Sequence, residues 1–195
     1  MNIRNHMLPK FLLFVGPMFG GKTTRLLASL DRYRYQKKNI LLFKPKMDER
    51  YSNDTVTTHN GIKSPEAVLV DTGDELLSKF ALIDKESTVD IVAVDEAFMI
   101  PGCAKALIEI FKKRAKTIVV SSIQLNATGG PMPEIPEMMP LATDMTVCPA
   151  VCFDCGADAY YTHKKSNQEH TGIEVGGIEL YESLCYYHFK AKKGF

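Results

Sequence analysis

The stretch GPMFGGKT, residues 16–23, follows directly on the apolar run FLLFV at 11–15. Its spacing, G-x-x-x-x-G-K-[S/T], suits a phosphate chain. Several backbone N–H groups must converge on the anion, and glycine lets the main chain curl close without side chains in the way. A helix starting here adds its positive N-terminal end. Lys22 reaches the outer phosphates as a point charge, and the Thr23 hydroxyl is a ligand for Mg²⁺. The loop Gly16, Pro17, Met18, Phe19, Gly20, Gly21, Lys22 and Thr23 is therefore a candidate site for a nucleoside triphosphate.

Two further stretches could complete such a site. IVAVDEA, residues 91–97, is an apolar run that delivers Asp95 at its end, where a carboxylate can hold Mg²⁺ directly or through water. Glu96 beside it suits a general base acting on a hydroxyl or water. KPKMDERYSND, residues 44–54, follows the next apolar run. There Asp48 is a candidate for metal and Arg50 for a transferring phosphate, whose spread charge a guanidinium matches. Pattern alone leaves open that this charged segment is plain solvated surface.

A second chemistry is written near the end of the chain. Cys152-x-x-Cys155 and Cys185-x-x-His188 form two chelating pairs. Zn²⁺ takes four such ligands tetrahedrally, which makes a closed, structural site with no open position for catalysis. Cys148 could substitute for one ligand but lies outside the better pair, and Cys103 reads as a small core or helix-start residue.

These residues need a scaffold. Phe11 to Val15, Ile40 to Phe43, Ala67 to Val70, Ile91 to Val94 and Thr117 to Val120 read as strands. Thr23 to Lys37, Asp74 to Phe80 and Ala104 to Lys113 read as helices between them. Alternating apolar strands and helices predict an α/β fold with a parallel sheet covered on both faces. Residues 124–140, rich in Gly, Pro and Met, read as a loop or linker. A division near residue 145 follows: 1–145 as the phosphate-binding part and 146–195 as a small metal-binding part.

Composition bounds the remainder. The chain has 195 residues, a formal charge of +1 and 45% hydrophobic residues. That balance gives no reason to expect a nucleic-acid or membrane surface, and no apolar stretch approaches the roughly 20 residues of a membrane span. The opening MNIRNHMLPK lacks the pattern of a signal peptide, so a cytoplasmic location and reduced cysteines are expected.

In combination these motifs resemble one family, the type II, zinc-containing thymidine kinases. The resemblance is carried by GPMFGGKT, by D-x-R-Y at Asp48 to Tyr51 and by Thr58-His59. It extends through Asp95-Glu96, Cys152-x-x-Cys155 and the Gly176 to His188 stretch, from about residue 11 to residue 190. It implies a P-loop, RecA-like sheet and transfer of the γ-phosphate of ATP to the 5′-hydroxyl of thymidine or deoxyuridine, for deoxynucleotide salvage. Glu96 would be the base, Arg50 would sit near the transferring phosphate, and Thr23, Asp48 and Asp95 would manage Mg²⁺. Met18, Phe98, Ile123, Ala127, Met132, Ile173, Val175, Gly176 and Tyr181 would surround the nucleoside. A lasso loop, about 163–177, would close over it, anchored by structural zinc on Cys152, Cys155, Cys185 and His188. The family is usually tetrameric, so a homotetramer is expected.

The chain departs from the family pattern around the base. Phe98 stands where a glutamine is usual, Gln124 where an aspartate is, and Ala127 and Met132 where phenylalanines are. Lys164 replaces a frequent arginine. These changes predict an altered nucleoside preference. The alternative they raise is an ATP-binding protein whose nucleoside site has changed or decayed into a binding module; the retained Glu96 argues against it, since a pure binder needs no base.

Overall fold

The computed structural model describes residues 8–47, 55–57, 63–165 and 176–193. From the N-terminus the chain forms β1 (Phe11–Gly16), α1 (Lys22–Tyr35), β2 (Ile40–Pro45), β3 (Thr55–Thr57), β4 (Lys63–Glu66), β5 (Val68–Val70), α2 (Gly73–Glu86), β6 (Ile91–Val94), α3 (Cys103–Arg114) and β7 (Thr117–Ile123). It continues with α4 (Glu134–Met138), β8 (Asp144–Val147), β9 (Ala150–Val151), β10 (Asp158–Ala159), β11 (Tyr161–Lys164), β12 (Tyr181–Leu184) and α5 (Tyr186–Lys193). Six strands make one sheet in the order β5-β2-β6-β7-β1-β8, every neighbouring pair parallel.

Strand alternation explains the layers. Phe11, Leu13 and Val15 of β1 enter a cluster with Leu76 and Phe80 of α2 and Leu107 and Ile110 of α3. Leu12 and Phe14 point the other way, to Leu26, Leu27 and Leu30 of α1. Both faces are thus covered, which is why these strands read as continuous apolar runs. Burying a leucine or phenylalanine here is worth about 1.5–3 kcal/mol.

Several elements differ from the sequence expectation; strand β7, for one, runs on to Ile123, beyond the expected Val120. Helix α2 runs on to Glu86, beyond the expected Phe80. The Thr72 side chain caps it by accepting from the Glu75 N–H at 3.2 Å, and Asp74 and Glu75 sit in its first turn. Segment 124–140, expected as a loop, contains α4, whose Pro136 lies in the first turn, where the missing N–H has no helical partner to lose. Strand β8 was not expected at all. It is an edge strand with mostly exposed side chains, so it lacks an apolar signature.

Beyond β8 the chain builds a separate small cluster from Ala150, Cys152, Ala159, Leu184, Cys185 and Phe189, with Tyr161 stacked on Phe189 at 4.7 Å between ring centroids. Strands β11 and β12 pair antiparallel within it.

Candidate active site and metal centre

The phosphate loop bridges β1 and α1 at the carboxyl edge of the sheet. Gly21 precedes α1 in a left-handed conformation, φ 70°, that disfavours a side chain. Gly16 and Gly20 both press on the Cys148 carbonyl: a Cβ built on either would lie 2.3 or 2.4 Å from that oxygen. Cys148 itself follows β8, and its N–H donates to Val15 O at 2.7 Å. Its sulfur is buried, which pushes the thiol pKa up. Cys148 therefore backs the loop through its main chain and stands apart from the metal-like cysteines. Lys22 is only 6% exposed, and its ammonium donates to Pro17 O at 2.7 Å, folding across the loop.

Asp95 arrives by register. In β6, Ile91 and Ala93 face α1, so the next residue of that parity, Asp95, does too. Val94 pairs with Val120 of β7, which sets Asp95 beside Ser121 one step on. Thr23 Oγ1 donates to Asp95 at 3.0 and 3.1 Å to its two oxygens, and Ser121 Oγ donates to Oδ1. A carboxylate that is 3% exposed is thus gripped by two hydroxyls. With its proton committed to Asp95, Thr23 Oγ1 keeps its lone pairs for a cation, so the pair fits a hard divalent ion such as Mg²⁺. Ser121 was missed in the sequence. The signal was there: Ser121 and Ser122 follow the apolar run Ile118–Val120 within a fully buried strand, and a buried hydroxyl needs a partner.

Glu96 follows with φ 53° and ψ 45°, a left-handed conformation for a non-glycine residue. Such a backbone costs on the order of 1–3 kcal/mol and persists where its surroundings enforce it. The short 3₁₀ turn Ala97–Met99 does so, with Met99 N–H on Glu96 O at 2.9 Å.

Five of the described nucleoside candidates share one apolar cluster. Met18, Ile123, Met132 and Tyr181 are buried in one apolar cluster, and Phe98 packs against it. Ala127 lies on a turn organised by Asn126, whose Oδ1 accepts from the N–H groups of Thr128 and Gly130. Gly176 is buried against Leu180. Glu134, also missed, ties this wall to α3: its carboxylate accepts from Gly102 N–H at 2.9 Å and Ala104 N–H at 2.7 Å. Asp48, Arg50, Thr58, His59, Ile173 and Val175 lie outside the described residues, as does most of the expected lasso.

Cys152, Cys155, Cys185 and His188 bring their ligand atoms within 4.8 Å of one another. Cys152 Sγ and Cys185 Sγ lie 3.5 and 3.3 Å from His188 Nδ1, and Cys155 Sγ lies 3.9 Å from Cys185 Sγ. Ligands at Zn–S and Zn–N distances stand about 3.4–3.8 Å apart around a tetrahedral ion, so the donor set and its spacing fit zinc. Burial raises the Cys152 thiol pKa, but N–H groups of Cys185, Cys155 and Asp154 outweigh it and bring it down to about 6. That favours the thiolate a metal needs. Cys103, by contrast, is buried at the start of α3 and pushed far up by burial.

The phosphate loop, the gripped carboxylate and the Cys₃His cluster all lie within the stretch that matches known proteins. The thymidine kinase family model matches residues 10–189, which takes in all three. The thymidine kinase of Thermococcus kodakarensis (strain ATCC BAA-918 / JCM 12380 / KOD1) is 30% identical over 181 residues, covering 90% of this chain and 91% of that protein. With the match running from β1 to the last cluster ligand, the chain belongs to the thymidine kinase family.

Proposed function

We infer that this thymidine kinase transfers the γ-phosphoryl group of ATP to the 5′-hydroxyl of thymidine, with deoxyuridine as a second substrate, using the residues assembled around Asp95. The observation that carries the reading is the buried Thr23–Asp95–Ser121 constellation beside the phosphate loop, with Glu96 next in sequence. The phosphate loop, Gly16 to Thr23, and the Lys22 ammonium hold the phosphates. Thr23 and Asp95, with Asp48, hold Mg²⁺, which neutralises phosphate charge when bound. Glu96 accepts the proton of the 5′-hydroxyl as its oxygen bonds to phosphorus and the bond to ADP breaks, and Arg50 steadies the charge of the moving group. Met18, Phe98, Ile123, Met132 and Tyr181, with Ala127, Gly176, Ile173 and Val175, enclose the base.

Zinc on Cys152, Cys155, Cys185 and His188 is structural, and residues 163–177 form the lasso it anchors. In this reading residues 1–145 are the ATP-binding part and 146–195 the zinc and lasso part, the last two residues of β8 reaching back into the sheet. A homotetramer acting in the cytoplasm completes the proposal. Among the described residues no helix is long and apolar enough to cross a membrane.

The test is direct. Purified protein is incubated with Mg²⁺, ATP and each common nucleoside in turn, and ADP and nucleoside monophosphate are measured together. Thymidine monophosphate formed in step with ADP is the expected result. ADP without any monophosphate would overturn the assignment.

A further inference from the structure

We propose that Thr162 and Ser183 are positioning residues: one rung of the β11–β12 hairpin clamps the phosphate loop and couples it to the nucleoside site. The Met18 N–H donates to Thr162 Oγ1 at 3.0 Å, and Ser183 Oγ donates to the Met18 carbonyl at 2.6 Å. Both bonds are buried, and they join positions 144 and 165 residues apart in the chain. Thr162 and Ser183 face each other across the hairpin and are 4% and 3% exposed. Both main-chain polar groups of one phosphate-loop residue are therefore satisfied by side chains from a distant unit. Left without partners in a buried place, each would carry the full desolvation cost.

The clamp has neighbours on three sides. Cys148 O supports the loop at Gly16 and Gly20, and the clamp takes the residue between them. The Ser183 carbonyl accepts from Phe153 N–H at 2.9 Å, so the turn between Cys152 and Cys155 is tied to the same rung. Two residues before Ser183, Tyr181 shares an apolar cluster with the Met18 side chain. A nucleoside resting on Met18 and Tyr181 loads both ends of the clamp, and the loop amides that meet phosphate move with it. Coupling of this kind is reciprocal: thymidine tightens nucleotide binding by the factor by which nucleotide tightens thymidine. This coupling rests on the nucleoside site proposed above; the effect of the clamp on nucleotide binding alone does not.

Calorimetric titration of the full chain with Mg·ADP, with and without saturating thymidine, tests both parts. The variants are Thr162→Val, Ser183→Ala and, as the conservative control, Thr162→Ser, each checked for folding by circular dichroism. Without thymidine, the ADP Kd rises about 5- to 10-fold in Thr162→Val and in Ser183→Ala and stays within about 2-fold in Thr162→Ser. In the wild type thymidine tightens ADP, and in the two clamp variants that ratio falls toward one. Ser183→Ala deletes a single oxygen and keeps the test decisive where Thr162→Val does not fold. Wild-type ADP affinity in the folded clamp variants would overturn the clamp. A thymidine effect that is absent from the wild type, or survives unchanged in the variants, would overturn the coupling. If thymidine fails to bind the wild type, the nucleoside assignment falls, and the comparison made without thymidine still decides the clamp.

Discussion

Glu96 illustrates how single residues carry this site. It occupies a left-handed backbone position that a glycine would hold more easily, directly after a carboxylate gripped by two hydroxyls. With Glu96 as the base, Glu96→Gln lowers kcat by roughly 10²-fold or more while ADP affinity stays at the wild-type value, as stopped-time assays and titration will show. An unchanged kcat would remove Glu96 from that role. Ser121 acts one atom further out. Its hydroxyl fixes the rotation of Asp95, so Ser121→Ala raises the Mg²⁺ concentration needed for half-maximal rate by about 3- to 10-fold, the worth of one hydrogen bond to a charged group. A Mg²⁺ dependence identical to the wild type would remove Ser121 from that role.

The elements that present these residues are held by local chemistry that can be tested separately. Helix α2 begins at the Thr72 cap, so Thr72→Ala costs about 1 kcal/mol, or about 2–4 °C in melting temperature. The far end of α2 is tied to the start of β7 by Asp84 and Lys116, 2.9 Å apart and both well covered. Burial tends to raise the Asp84 pKa, but the Lys116 ammonium and the Val89 N–H outweigh it, and the carboxyl ionises below its ordinary range. The folded state then binds fewer protons than the unfolded state. The contribution is complete above the ordinary carboxyl pKa of about 4 and is lost as pH falls through the lower folded value. The stability gap between wild type and Asp84→Asn, measured by urea unfolding, accordingly narrows on acidification below about pH 4; a gap independent of pH would refute the assignment.

At the scale of the whole molecule, two unequal parts meet at the phosphate loop. The parallel sheet carries the loop, and the strands beside the Cys/His cluster set Thr162 and Ser183 against Met18. The smaller part has a modest apolar core, so a tetrahedral ion on its Cys/His cluster would contribute folding energy it lacks. Stripping zinc with a strong chelator lowers the apparent melting temperature by more than about 5 °C, and added Zn²⁺ restores it. Cys185→Ser reproduces the loss without rescue. A melt insensitive to chelator and to Cys185→Ser would mean that the cluster is held by packing alone.

Much of this was legible in residue order because it depends on neighbours in sequence. A phosphate loop needs glycines at short fixed spacings between a strand and a helix. Metal pairs need two residues between ligands. A strand buried on both faces must be apolar throughout, as FLLFV and IVAV are. Period-two alternation also delivers Asp95 to the α1 face without any knowledge of its partners. What only the tertiary structure decided lies between segments far apart. Ser121 finds Asp95 through strand register, Cys148 O fills the space left by Gly16 and Gly20, and Thr162 and Ser183 meet Met18 across more than half the chain. Single hydroxyls and carbonyls carry no pattern of their own in sequence. They acquire a role when folding buries them, because a buried polar group must then be satisfied by whatever group the fold sets beside it.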